Sequence, residues 1–381
     1  MDWDTIPDKL EELRGDAPDE VQEYFLQMED YWERKLWHEL TTTLIKYFER
    51  PESKPQRLVL YNTFIKSFAD KINTLNLVTL GLKAAEQCKD MQVQLEMEEA
   101  LAKKVDGPDS QDAYVYARVA VASLYMKQRE FGKAREILDA CQRILDTFDT
   151  VESKVHAAFY KNNADYYKIK FDYAAYYRNC LLYLACVDVP SLPLEDRTER
   201  AMDLAVAALL AETIYNFGEL LLHPILDALV NTEVAWLRDL LFAFNRGDLV
   251  AWDALSGNLK SFKMLAEARP FLHQKICLAA LTEAVFRRPP HDRTMRFVDI
   301  GVETKVKPDQ IEHLIMKALS LGLLKGTIDQ VAQVAKINWV QPKVLDMKQI
   351  ESMKVRLKEW DSNVNQLGNW IEHVGGDMWA A

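Results

Sequence analysis

KALSLGLLKGTIDQVAQVAKINWVQPKVL, residues 317–345, predicts by its order of chemistry a helix running into a two-stranded wing. Just upstream, KVKPDQIEHLIMKALSLGLL puts Pro308 at a first helical position and Ile311, Leu314, Ile315, Ala318 and Leu319 on one helical face. LKGTI (324–328) reads as a polar bend. In VAKINWV (334–340), Ala335, Ile337 and Trp339 then alternate with Val334, Lys336, Asn338 and Val340 until Pro342 stops pairing. The texture changes after FRRPPHDR (286–293), where a short segment, TMRFVDIGVET, leads in. Two short helices followed by a hairpin make a winged helix, the build of many DNA readers.

Charge argues against that use. A helix in the major groove faces one phosphate per ~1.7 Å of duplex and offers Arg, Lys, Asn or Gln to base edges. DQIEHLIMKALSL instead sets Asp309 and Glu312 against Lys317, and the wing sets Lys325 and Lys336 against Asp329. Residues 290–381 hold twelve Lys/Arg and twelve Asp/Glu, whereas residues 1–30 hold eleven Asp/Glu against Lys9 and Arg14, within a chain of net charge −11. A polyanion is repelled at one end and ignored at the other. A winged helix that faces protein is the expectation, and residues 1–18 read as an acidic segment with a solvated face or frayed tail.

Beyond the wing, Ile350, Met353, Leu357, Trp360, Val364, Leu367, Ile371 and Val374 follow spacings of 3, 4, 3, 4, 3, 4 and 3 until Gly375 and Gly376, which are expected to end the helix. A strict a/d stripe about 37 Å long is narrower than the face of an ordinary surface helix and fits a bundle or coiled-coil seam. Burying eight such side chains is worth about 12 to 24 kcal/mol before ordering costs. Either the stripe packs back on its own chain or it enters a bundle with other subunits. Gly368 weakens it as an isolated element.

From about residue 19 to 288, apolar residues recur at three and four, broken by ERPESKPQ (49–56), KVDGPDS (104–110) and DVPSLPLED (188–196), the punctuation of stacked helical hairpins. EFGKAREILDACQRIL (130–145) echoes KFDYAAYYRNCLLYLA (170–185) at an offset of 40, Phe131 meeting Phe171 and Ala134 meeting Ala174, a period that suits tetratricopeptide-like or HEAT-like units. Tyr166, Tyr173, Tyr177 and Leu181 lie at helical spacings with few Lys or Arg between them, so they read as packing between helices and not as a stacking platform for bases.

With 13 Gly and 13 Pro in 381 residues, turn-rich β folds and Gly-loop nucleotide folds are disfavoured. No phosphate-binding loop, HExxH, HxH or GxSxG occurs, and the five cysteines (Cys88, Cys141, Cys180, Cys186, Cys277) form no CxxC pair. His223 and His313 read as structural histidines. Neither a cofactor nor a metal is expected, nor catalysis. The scattered odd cysteines suit reduced thiols in cytosol or nucleus. The start MDWDTIPDKL lacks the features of a signal peptide, and LAVAALLA (204–211) is far shorter than the ~20 residues of a membrane span. The expected class is mainly α: a right-handed solenoid of helical hairpins over 19–288, a winged-helix module over 289–345, and a long C-terminal helix with its tail over 346–381.

Helical hairpins feeding a winged helix and then a long terminal helix resemble the PCI family of scaffold proteins, shared by the proteasome lid, the COP9 signalosome and the translation initiation factor three complex. RKLWHEL (34–40), NFGELLLHPILDAL (216–229), LFAFNRGDL (241–249), IMKALSLGLLKGTIDQV (315–331) and NWVQPKVLDMKQI (338–350) are most similar to a lid component of the proteasome regulatory particle. Residues 1–30 and the end after Gly375 show the least resemblance.

The resemblance implies a non-catalytic subunit in cytoplasm and nucleus. Its partners would be neighbouring PCI subunits, the metalloprotease-type lid subunits and the ubiquitin receptor of the regulatory particle, with neither nucleic acid nor membrane, in a hetero-oligomer. Its expected subunit-interface residues are Val334, Lys336, Asn338 and Val340, taken as a free sheet edge for strand addition, and Ile350, Met353, Leu357, Trp360, Val364, Leu367, Ile371 and Val374 on the seam. The alternative is a PCI subunit of another assembly, the signalosome, a translation initiation factor or an mRNA-export complex, with nucleic-acid contact.

Overall fold

The structure, a computed structural model, describes residues 6–15, 17–148, 152–230, 232–289, 292–342 and 347–379. The chain divides into two compact units, Met1–Ser191 and Leu192–Ala381, at a boundary that falls inside the 19–288 stretch.

In the first unit the helices are α1 (Ile6–Gly15), α2 (Asp19–Glu33), α3 (Trp37–Glu49), α4 (Arg57–Thr63), α5 (Thr74–Ala85), α6 (Met91–Lys104), α7 (Gln111–Lys127), α8 (Phe131–Leu145), α9 (Ser153–Lys170) and α10 (Tyr173–Cys186). α1 to α9 share one buried apolar cluster that runs from Ile6 to Phe159. The expected break at 49–56 is the end of α3 and the short 3-10 helix Pro51–Gln56, and the break at 104–110 parts α6 from α7. Within the acidic beginning, Ile6–Gly15 is a packed helix: Ile6 and Leu10 are buried, while Arg14 reaches Glu11 and Glu29. Gln56 fastens its end, donating to the Leu13 carbonyl at 2.9 Å and accepting from the Tyr47 hydroxyl at 2.8 Å. The eleven carboxylates of residues 1–30 hide a short apolar stripe of Ile6, Leu10 and Leu13.

Consecutive helices turn back through residues in the left-handed region, Lys35, Arg129 and Phe171. In each turn the next N–H bonds a tyrosine carbonyl five residues earlier, Leu36 to Tyr31, Glu130 to Tyr125 and Asp172 to Tyr167. This register aligns Arg129 with Phe171, an offset of 42 in place of the expected 40. It superposes buried Ala134, Leu138 and Cys141 on buried Tyr176, Cys180 and Tyr183. Matching Phe131 to exposed Phe171 followed letters, whereas the turn geometry and burial follow the helix face. Tyr177 is buried, and Tyr166, Tyr173 and Leu181 are half-buried.

The second unit holds α11 (Leu194–Leu210), α12 (Gly218–Leu222), α13 (Ala235–Arg246), α14 (Leu249–Leu255), α15 (Lys263–Glu267), α16 (Arg269–Arg287), β1 (Thr294–Arg296), α17 (Phe297–Thr304), α18 (Pro308–Ser320), β2 (Leu324–Asp329), β3 (Val334–Val340) and α19 (Met347–Trp379). Gly247 ends α13 at φ +66°, and a Cβ there would strike the backbone of Ala279 and Ala280 on α16, so only glycine allows the two helices this close. Asp248 then caps α14, accepting from Val250 and Ala251 N–H at 2.9 and 3.1 Å.

Each unit also seals a helix C-terminus with a buried cation. Arg57 donates to the Phe48 and Arg50 carbonyls that close α3. Lys275 on α16, 1 % exposed, donates to the carbonyls of Ala208, Leu209 and Ala211 at 2.8, 3.0 and 2.7 Å, at the end of α11. Three rings, Tyr215, Phe217 and Phe271, surround its ammonium at 5.2–5.7 Å. Burial pushes Lys275 down to about 7.

Candidate subunit interface

α17, α18 and the β2–β3 hairpin form the winged helix. On α18 the sequence pattern holds, with Ile311, Leu314, Ile315 and Ala318 buried. The expected polar bend at 324–328 is instead strand β2. The chain turns at Gln330–Gln333, because residues 324–329 find antiparallel partners all along β3.

The sheet runs β1–β3–β2. Val334–Val340 is therefore its central strand and not the expected free edge. β2 covers one side of β3 along its length, and β1, with the Arg293 carbonyl, covers the other as far as Ile337. β1 is only TMR, with Met295 buried, too short to leave a pattern in the sequence. The sheet's outer edges belong to the three-residue β1 and the six-residue β2.

Alternation also breaks within β3. A bulge between Lys325 and Gly326 sets Lys325 opposite Trp339 but Gly326 opposite Ile337, leaving Asn338 as the extra residue. Side-chain parity flips there. Ala335 and Ile337 point inward, Trp339 turns out to solvent with Lys325 Nζ 4.9 Å above its ring, and Val340 turns in. Gly326 permits the bulge, since a Cβ would collide with the Lys336 carbonyl. Among the expected interface residues of this strand, Lys336 and Asn338 are exposed, Val334 is half-buried and Val340 is buried opposite Leu324.

The terminal helix behaves otherwise. α19 continues through Gly368, Gly375 and Gly376 to Trp379, 33 residues or about 50 Å. The expected stop at the glycine pair does not occur. A glycine costs a helix interior about 1 kcal/mol but forbids nothing, and no proline follows before the helix ends. Ile350, Met353, Leu357, Trp360, Val364, Leu367 and Ile371 are all exposed, from 45 % at Val364 to 65 % at Trp360. The Val374 side chain lies outside the described residues. Trp370, 61 % exposed beside Ile371, widens the stripe, and sequence reading passed over it because it sits one place off the a/d frame.

Among the described residues nothing covers the apolar seam, whereas the other long helices each bury one face. Cys141 and Cys277 are buried thiols pushed up to about 12 and about 11, unsuited to nucleophilic attack. No cluster of three metal-ligating side chains occurs among the described residues, and no described helix is long and apolar enough to cross a membrane.

Three family models match in chain order: PSD13 N-terminal repeats over residues 24–241, the PCI domain over 254–339 and the Rpn9 C-terminal helix over 343–375. The chain is 44 % identical to a probable 26S proteasome regulatory subunit rpn9 of Schizosaccharomyces pombe, covering 97 % of each. It is 38 % identical to the 26S proteasome regulatory subunit RPN9 of Saccharomyces cerevisiae, over 99 % of this chain and 98 % of the relative. With the 26S proteasome non-ATPase regulatory subunit 13 homolog B of Arabidopsis thaliana the identity is 33 %, over 97 % and 98 %. Most of the repeats, the winged helix and the terminal helix thus fall within matched segments, and the chain belongs to the Rpn9/non-ATPase regulatory subunit 13 family of PCI proteins.

Proposed function

We propose that this chain is a non-catalytic scaffold subunit of the 26S proteasome regulatory particle lid, supporting lid assembly and ubiquitin-dependent protein degradation. The observation that carries the reading is the uncovered seam on α19, within the segment that matches the Rpn9 C-terminal helix. Seven large apolar side chains in water are a standing cost that a helical bundle with other lid subunits removes. Neighbouring PCI subunits, metalloprotease-type lid subunits and the ubiquitin receptor are the partners this role calls for, in cytoplasm and nucleus. A neighbour that adds a strand to the wing does so at β2, the longer of the two edge strands.

Replacing Leu357, Trp360 and Val364 together with Asp tests the seam. The isolated variant is expected to keep its helical circular dichroism and melting temperature while lid subunits no longer co-purify with it from cells. Intact co-purification with a folded variant would leave the seam without an assembly role.

A further inference from the structure

The charges on α19 follow an order that its apolar seam does not require. Residues 347–358 carry Lys348, Lys354, Arg356 and Lys358 against Glu351, a net of +3, whereas residues 359–379 carry Glu359, Asp361, Glu372 and Asp377 with neither Lys nor Arg, a net of −4. Helix stability does not explain this order. Lys348 stands in the first turn and Asp377 in the last, the arrangement that the helix dipole disfavours. Lys354, Arg356, Lys358, Glu359, Asp361 and Glu372 are exposed, and none is in an ion pair among the described residues.

Such an order narrows what can cover the seam. A helix of uniform charge, acidic or basic, is attracted by one half of α19 and repelled by the other. A second copy laid parallel puts +3 on +3 and −4 on −4, although Arg356 then meets Asp361. A second copy laid antiparallel sets each basic half on an acidic one, twice over by symmetry. The same charges choose the register. In an antiparallel pair, a positions face d positions, and each residue that follows a d position faces its counterpart on the other helix. Pairing Ile350 with Leu367, Met353 with Val364 and Leu357 with Trp360 gives, with their symmetry mates, six layers over about 26 Å, and sets Lys354 beside Asp361 twice. Sliding by one heptad toward Ile371 and Val374 would set Asp361 against Asp361.

We propose that the free chain pairs with a second copy of itself, antiparallel, in this register of α19. The pairing goes beyond the lid role and needs no lid subunit; lid helices compete with the second copy for the same seam. The net charge of −11 on each chain opposes association, so the pair is weak, dissociating at about 10 µM, and the chain is monomeric well below that concentration.

Sedimentation equilibrium of the full chain, from about 1 to about 100 µM, is expected to show monomer passing to dimer. Two variants each reverse one half of the pattern: Lys354→Glu/Arg356→Glu/Lys358→Glu makes the basic half acidic, and Glu359→Lys/Asp361→Lys extends the basic half. Each alone should dimerise about tenfold more weakly, and their equimolar mixture should recover dimer, which a folding defect could not do. Zero-length carbodiimide coupling in a mixture of isotope-labelled and unlabelled wild-type chain should join Lys354 of one copy to Asp361 of the other. A parallel pair would set Lys354 beside Gln349 instead. Monomer at the highest concentration, a dimer that neither variant weakens, a mixture that stays monomeric, or coupling between copies without the Lys354–Asp361 link would each overturn the proposal. Loss or retention of lid subunits in co-purification from cells bears on the lid role alone.

Discussion

α8 and α19 both carry apolar side chains at helical spacing, and they end in opposite surroundings. On α8, Ala134, Ile137, Leu138, Cys141 and Leu145 are at most 7 % exposed, whereas the seven described seam residues of α19 are at least 45 % exposed. Their stripes differ in width more than in period. Ile137 and Leu138 are neighbours and both buried, so α8 presents a broad face that fills the space against α7 and α9. On α19 no two of the a/d residues are adjacent and Trp370, beside Ile371, is the one widening named above, so most of the stripe is narrow, the geometry of one helix meeting another in a bundle. Width separates a face that the chain covers itself from the stripe we propose a second chain covers.

The largest effect should come from trading the same atoms in the two settings. Leu138→Ala is expected to destabilise the isolated chain by about 2–5 kcal/mol, through lost burial and the cavity left behind. Leu357→Ala should stay within about 0.5 kcal/mol, since its side chain is 62 % exposed. Urea melts of the two variants decide the matter. A multi-kcal/mol loss from Leu357→Ala would mean that the chain covers its own seam, and the contrast between the helices would fail.

Lys275 sharpens the covered side of the contrast, because it lies on the buried face of α16 and yet carries a charge. Lys275→Met keeps the packing but leaves three carbonyls at the end of α11 without donors, and is expected to cost about 2–3 kcal/mol. The folded chain holds this proton less tightly than the unfolded one, about 7 against 10.5. Between those values the unfolded state binds more protons, so stability rises with pH, and below about 7 the penalty for burying the charge is present in full. The wild type should therefore gain on the Met variant as the pH climbs from about 7 to about 10.5 in matched thermal melts. A flat difference would show that the carbonyls and rings offset the burial completely.

Much of this fold is written in periodicity. The apolar face of α18, the Pro-marked breaks at 49–56 and 104–110, and the 3-4 seam of α19 were all legible because each is local. What escaped depends on partners distant in sequence. Which strand is central is set by β1, three residues that arrive some forty positions before β3, and the flip of Trp339 and Val340 is set by a bulge opposite Gly326. Lys275 could have been suspected: it stands three residues after Leu272 and one before Ile276, on a stripe otherwise apolar.

The smallest effect probes the uncovered helix itself. Gly368 lies inside α19, and a Cβ there would meet nothing within 4 Å. Gly368→Ala is therefore expected to stiffen the helix by about 0.5–1 kcal/mol through reduced freedom of the unfolded segment. The amides on either side should exchange hydrogen about two- to fivefold more slowly, while the melting temperature of the rest of the chain stays where it is. That pairing of outcomes depends on α19 being a helix that stands by itself until a partner arrives. Were the same substitution to raise the melting temperature of the whole chain, the helix would be folding as part of the body, and the seam would have to be counted with the face of α8.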